Sequence, residues 1–201
     1  MTTPILKREL RDALRARVAG VSIDEKFWAS GVIRGHVADL AHWRAARVVM
    51  VYAGDETEPD LDYLIPLGVS QRKTMCVARI DWQAGRMWPA AVDSTMRLAW
   101  GRNRIRVPDA SCPDVSPDRV DLVIVPGVGF DAAGGRLGRG GGFYDRFLAG
   151  DGAGGLRACV VGAGFAASIA ERVPMEAHDR KMDAVVTEAG VLVCGVKEER
   201  A

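Results

Sequence analysis

The residues of this chain best suited to chemistry lie together in GGRLGRGGGFYDRFL, residues 134–148. Gly138, Gly140, Gly141 and Gly142 let the backbone take positive φ and bring its N–H groups close to a ligand. Successive amides pointing inward make an anion nest. Arg136 and Arg139 add forked donors that match phosphate oxygens. A helix opens near Phe143, and its N-terminal partial charge has the same sign. Asp145, early in that helix, offers the hard oxygen that Mg²⁺ takes beside phosphates; its competing roles are to compensate the helix N-terminus or to pair with neighbours of Arg146. The combination suits a polyphosphate. It is neither a Walker A loop, which needs GxxxxGK[ST], nor a GxGxxG opening directly after a strand. Flexible turns also use glycine runs, so the reading rests on the whole context: strand, glycine loop, two arginines, helix and carboxylate.

That context needs elements to hold it. Asp121 to Pro126, DLVIVP, reads as a buried strand running straight into the loop. Ligands of open parallel sheets bind outside such strand ends. Residues 5–19 carry Leu6, Leu10, Ala13, Leu14 and Val18 at helical spacing, with Lys7, Arg8, Arg11, Arg15 and Arg17 opposite. A solvated face with ion pairs such as Arg8 with Asp12 explains those charges; beside a phosphate site, Lys7 and Arg11 become ligands. Ser22 to about Ala45 predicts a second helix, opened by a Ser22–Glu25 capping box. Strands are predicted at Arg47–Ala53, Thr74–Ile80, 157–163, Ala184–Thr187 and Val191–Val196. A short helix is predicted from Pro59, another over Ala166–Arg172, and a hairpin around Gly85. Strands alternating with helices predict a single-domain three-layer α/β/α fold over residues 1–201, with a mostly parallel sheet.

Composition narrows the function classes. The chain has 201 residues, 48% hydrophobic content and net charge +1. This balance argues against a general nucleic-acid binder. No apolar run reaches the ~18 residues needed to span a bilayer, and the N-terminus lacks a signal-peptide core; a cytoplasmic protein acting on a small molecule is expected. The four cysteines match no zinc spacing. Cys76, Cys159 and Cys194 read as buried thiols, and Cys112 as an exposed loop residue. There is no GxSxG elbow, HExxH motif or Cys–His pair. His178 is either a proton shuttle beside Asp179 or a capping residue, and His36 and His42 are expected to face solvent. The five tryptophans are expected to be mostly in the core or half-buried, with Trp82 or Trp88 near the pocket.

The run PGVGFDAAGGRLGRGGGFYDRFL resembles the signature of the 5-formyltetrahydrofolate cyclo-ligase (methenyltetrahydrofolate synthetase) family, approximately PG-x-x-FD-x-x-G-x-RLG-x-G-x-GYYDR-x-L, with Phe143 in place of a tyrosine. KRELR resembles the family's N-terminal K-x-x-LR, EPDLDYLI its E-x-(D/E)-T-x-x-(L/I)-I segment, and HDRKMDAVVTE its late HD-x-x-(M/V)D-x-(V/I)-x-TE segment. The resemblance implies ATP-dependent ring closure of 5-formyltetrahydrofolate with Mg²⁺. It implies an ATP site at Lys7, Arg8, Arg11, Arg136, Leu137, Gly138, Arg139, Gly140, Gly141, Gly142, Phe143 and Tyr144, with Arg136, Arg139 and Lys7 stabilising the transferring phosphoryl group. Asp145 and Asp179 are implied for the metal. Tyr52, Ala53, Glu58, Gly138, Gly140, Gly142 and Tyr144 are implied for the folate. Ser168, Ala78 and Val107 depart from the family pattern, at positions expected on the folate side. Two other functions fit the same motifs: a non-catalytic nucleotide- or folate-binding protein, and a ligase for a related formylated substrate.

Overall fold

The computed structural model describes residues 3–102, 105–150, 156–176 and 179–194. Five short apolar runs form its centre: β1 (Val48–Val51), β2 (Thr74–Asp81), β6 (Leu122–Pro126), β9 (Cys159–Ala163) and β10 (Ala184–Thr187). All five are parallel, in the order β10-β9-β6-β1-β2. Each edge is closed by an antiparallel strand, β3 (Arg86–Ala91) beside β2 and β11 (Gly190–Val193) beside β10. The edges reverse direction because tight turns precede them. Gly85 at φ 64° makes the β2–β3 turn, and Gly190 at φ 138° starts β11. Residues 195 and 196, expected in the last strand, lie outside the described residues, as does His178.

Alternation along each strand feeds two cores, as the two-residue side-chain period requires. On one face Val49, Val51, Val77, Ile124 and Val186 pack under α2 (Ile23–Asp39), α3 (Ala41–Ala45) and α4 (Leu64–Ser70). On the other, Met50, Ala78, Val123, Val125 and Val185 pack against α5 (Phe143–Ala149) and the loop from Phe130. The three-layer α/β/α expectation therefore holds.

Several elements differ in extent. The helix expected over residues 22–45 begins with the capping box but breaks at Leu40, whose extended ψ of 137° separates α2 from α3. The helix expected from Pro59 starts at Leu64 instead, and the one expected over 166–172 is a single 3-10 turn, Ala166–Ser168. Cys112, expected to be exposed, is buried, because the loop carrying it pairs with β3 (Ala91 N–H donates to the Pro113 carbonyl and Val115 N–H to the Pro89 carbonyl, each at 2.8 Å) and folds back on the core. Cys159 and Cys194, expected to be buried, are only half-buried. Trp28 and Trp100, expected inside, are exposed, while Trp43 is fully buried. His36 is half-buried with Nδ1 3.0 Å from the Thr187 carbonyl, so it does not simply face solvent.

The strand order decides where a ligand can enter. From β1 the chain passes to β2 on one side, while β6 lies on the other and leads away to β9 and β10. The switch point is therefore between β1 and β6, where loops leaving the two strands diverge and open a crevice.

Candidate active site

One buried carboxylate organises the glycine-rich segment. Asp131 Oδ1 accepts from the N–H groups of Ala133 at 2.9 Å and Gly135 at 2.8 Å, and Oδ2 accepts from Val173 N–H at 2.7 Å. These bonds fold residues 131–135 into a tight turn between β7 (Gly129–Phe130) and β8 (Arg136–Leu137). The turn delivers Arg136 to the mouth of the sheet. α1 (Thr3–Ala19) covers the hairpin with Leu14, which packs with Leu137, Ala170 and Val173. A Cβ on Gly129 would stand 2.2 Å from Leu14, so this close approach requires glycine. Asp131 carries no role in the expectations; the FD-x-x-G pattern, an aspartate followed by a turn glycine, is the signal that would have found it.

Arg136 is buried between the two halves of the site. Its Nη1 donates to the Pro126 carbonyl at 3.1 Å, its Nη2 donates to Asp145, and its guanidinium lies 5.5 Å from the Tyr144 ring centre. Beside it is a polar hollow of about 250 Å³. α1 contributes Lys7 and Arg11; the loop contributes Gly138, Gly140 and Gly142; Asp145, Glu176 and Asp179 supply carboxylates. Arg11 Nε donates to the Gly138 carbonyl at 2.8 Å and so fixes the loop to the helix. Lys7 Nζ donates to Asp179 at 3.0 Å and stands 3.7 Å from Glu176. Gly140 at φ 102° and Gly142 at φ 67° hold backbone that side chains disfavour. Glu176 was not anticipated; it borders the hollow three residues before Asp179.

On the other side of Arg136 is a larger, more apolar cavity of about 400 Å³. Tyr52 and Ala53 from the end of β1, and Pro126 and Gly127 from the end of β6, line its base. This is the switch point. Ala78, Ile80, Trp82, Phe143 and Tyr144 form walls, and Asp55, Glu58 and Arg139 a polar end. Arg136, Gly138, Gly142 and Asp145 border both spaces.

Arg139 ties the glycine loop to the acidic loop after β1. Its Nη1 donates to Asp55 at 2.7 Å, its Nε to Glu58 at 3.1 Å and its Nη2 to Thr57 Oγ1 at 3.1 Å. The two carboxylates respond differently. Burial pushes the Glu58 carboxyl up to about 7 against the pull of Arg139. For Asp55, burial is outweighed by hydrogen bonds from Arg139 and Thr57, which bring it down to about 2. The Glu58 side chain is 10% exposed and that of Asp55 36%, which accounts for the opposite outcomes. Burial also raises Tyr52 and Tyr144, with Glu58 adding to both, so their hydroxyls stay protonated donors.

The expected site residues thus divide. Lys7, Arg11, Leu137 and Gly140 border the polar hollow, and Arg136, Gly138 and Gly142 border both spaces; Asp145 and Asp179 share the hollow. Arg139, Gly141, Phe143 and Tyr144 border only the larger cavity, with Ala53 and Glu58. Arg8 is exposed and borders neither; Asp12 pairs with Arg15 at 3.8 Å rather than with Arg8. Of the three departures from the family pattern, Ala78 lines the larger cavity. Val107 does not, and it packs near Gly101. Ser168 is buried in the core, where its hydroxyl donates to the Phe165 carbonyl at 2.6 Å. Two of the three changes are therefore away from the cavity where they were expected.

Comparisons with known proteins bear on the family and the fold. The model of the 5-formyltetrahydrofolate cyclo-ligase family matches residues 5–188. The chain belongs to that family. A 5-formyltetrahydrofolate cyclo-ligase of Mycolicibacterium smegmatis is 30% identical, over 92% of this chain and 95% of the relative. The Escherichia coli K12 protein of the same name is 39% identical, over 73% of this chain and 80% of its own. The solved 5,10-methenyltetrahydrofolate synthetase of Aquifex aeolicus superposes with a TM-score of 0.81 at 29% identity, covering 98% of this chain and 95% of that one. The matched region contains the lining of both spaces apart from Pro4, with the loop between them, and the family places the chain among ATP-dependent ligases.

Proposed function

We propose that this chain closes the ring of 5-formyltetrahydrofolate to give 5,10-methenyltetrahydrofolate, with the triphosphate in the polar hollow and the reduced folate in the larger cavity. The observation that carries the reading is the shared wall. Arg136, Gly138, Gly142 and Asp145 belong to both spaces, so a γ-phosphate in one meets a formyl oxygen in the other there.

The amide-like formyl oxygen is a poor leaving group until phosphorylated. Transfer of the γ-phosphoryl group from ATP to that oxygen releases ADP and makes the carbon electrophilic; nitrogen-10 attacks and loses its proton, and phosphate leaves with the ring closed. No side-chain nucleophile is needed; the work is positioning and charge stabilisation. Arg136 is held by Pro126 and Asp145 so that its donors need not reorganise as charge develops. Lys7 and the Gly138–Gly142 backbone offer further donors to the phosphates. Glu58 and the protonated Tyr144 hydroxyl present polar edges to a pterin, while the Tyr52 hydroxyl is given to the Pro59 carbonyl at 3.1 Å.

The donor set at the hollow suits Mg²⁺. Among the described residues no three acidic, histidine or cysteine side chains form a complete metal cage. Mg²⁺ is normally held by one or two carboxylates together with substrate phosphates, and Asp145 and Asp179 supply that number. Bound there, the ion would neutralise phosphate charge during transfer. Lys7 meanwhile offsets the carboxylate charge of Asp179.

We also read residues 1–201 as one unit in the cytoplasm. A single seven-stranded sheet, and free thiols at all four cysteines, support this. No helix among the described residues is long and apolar enough to cross a membrane.

The deciding assay is the growth of methenyl absorbance from 5-formyltetrahydrofolate with ATP and Mg²⁺. ATP binding without product would make the chain a non-catalytic binder. Turnover of another formylated compound alone would move the substrate assignment.

A further inference from the structure

The larger cavity has three sides through which a substrate could extend, and their charges differ. One is the phosphate hollow. A second is a groove that shares Asp55, Glu58 and Arg106 with the cavity and adds Glu56, Asp60 and Asp62, five carboxylates against the two cations Lys26 and Arg106. Its Arg106 is already held by Asp62 at 2.9 Å. The third is an aromatic ledge. The Trp82 and Phe143 rings meet edge to face with centres 5.2 Å apart, and both line the cavity. The Arg102 guanidinium lies 5.8 Å from the centre of Trp82, and that of Arg146 lies 5.2 Å from Phe143.

The two ledge arginines differ from five others that face the site or its surrounding strands. Arg79, Arg97, Arg106, Arg136 and Arg139 each hold a carboxylate. Among the described residues, neither Arg102 nor Arg146 is in an ion pair. Arg146 gives Nε to the Gly85 carbonyl at 2.8 Å and Nη2 to Gly141 at 2.9 Å, which ties the hairpin tip to the glycine loop. Arg102 makes no such bonds and is exposed. A cation resting on an aromatic face stays oriented while keeping its donors available.

We propose that the carboxylate-bearing tail of the substrate leaves the cavity over the Trp82–Phe143 ledge, and that Arg102 sets preference for substrates with more tail carboxylates. The inference rests on the folate reading above. Reduced folates end in an aryl ring joined to one or more glutamates, so each added glutamate brings one more anion. The acidic groove repels such a chain, and the hollow is taken by the nucleotide. The ledge offers ring faces for the aryl group and, beyond them, unpaired positive charge. Arg146 assists from a fixed position; Arg102 is the residue free to follow the tail.

The test compares kcat/KM for 5-formyltetrahydrofolate carrying one glutamate and three glutamates, at low and high salt. The native chain is expected to favour the longer tail by about two- to fivefold at low salt, the scale of exposed charge pairs, with the preference fading as salt rises. Arg102→Gln should bring the ratio near one, Arg102→Glu should reverse it, and Arg102→Lys should keep it, all with kcat and the KM for ATP preserved. An unchanged ratio in Arg102→Glu overturns the proposal. So does a larger gain in long-tail preference from Glu56→Lys than the loss from Arg102→Glu, which would route the tail through the acidic groove. In either case turnover of the monoglutamate remains. A native chain that turns over neither compound refutes the folate reading itself, and this proposal with it.

Discussion

Two arginines three residues apart, Arg136 and Arg139, sit on opposite sides of the same loop and are held in opposite ways. Arg136 is buried, fixed by a backbone carbonyl and one carboxylate, and borders both spaces. Arg139 is more exposed, held by side chains of a loop more than 80 residues away, and borders only the larger cavity. The first is preorganised by its own hairpin. The second depends on the meeting of two distant segments. A single glycine-rich motif therefore serves two chambers, and the two guanidinium groups should fail differently when removed.

The largest effect should follow Arg136→Ala. Loss of a preorganised charge donor is expected to lower kcat by about 10²–10³-fold, as for other donors at developing anions, with stopped-flow or steady-state product formation as the readout. Unchanged kcat would remove Arg136 from the chemistry. Lys7→Ala acts on the polar hollow alone, and should lower kcat/KM for ATP by about tenfold, the scale of a charged hydrogen bond, while leaving the KM for folate in place. A matching rise in both KM values would erase the division into two chambers.

Arg139→Ala should show the converse split. We expect the KM for folate to rise by several-fold with little change in the KM for ATP. It should also free Glu58 from its cation, so the Glu58 carboxyl would rise further above about 7. An acid limb in kcat/KM that depends on ionised Glu58 would then move to higher pH. If the KM for ATP responds instead, Arg139 reaches the phosphates despite its pairing in this structure.

The smallest effect concerns stability. The Glu58 carboxyl is raised in the folded chain, so the folded state binds this proton more tightly than the unfolded state. That contribution is full below the unfolded value near 4.5 and is lost as pH rises through about 7. Thermal unfolding between pH 5 and pH 8 should show the slope, about a few degrees in Tm for a chain of this size, and Glu58→Gln should flatten it. Asp55 works in the other direction: its lowered carboxyl contributes above its ordinary value and loses that contribution as pH falls through about 2.

Much of the scaffold was legible because its causes are local. The capping box needs only Ser22 and Glu25, and it forms. The run from Asp121 predicts a buried strand without knowing its neighbours, and β6 lies at the centre of the sheet. Gly85 predicts a hairpin, and its φ of 64° makes one. Other features had no local cause to read. Leu40 breaks a helix whose residues would allow it to continue. The burial of Cys112 comes from a polar loop folding back on the core, and the exposure of Trp28 and Trp100 from faces left open among the described residues.

The sequence by itself determined that this chain would build an α/β sheet with a backbone-rich, positively charged loop at a strand end, because strand burial, turn glycines and caps act over a few residues. Its signature also pointed to the family. Only the tertiary structure decided that Arg139 faces Asp55 and Glu58 rather than the hollow of Lys7 and Arg11, and that Asp131 holds the turn. Those are contacts between segments tens of residues apart, and the competition between burial and charge that sets Glu58 apart from Asp55 exists only once the segments meet.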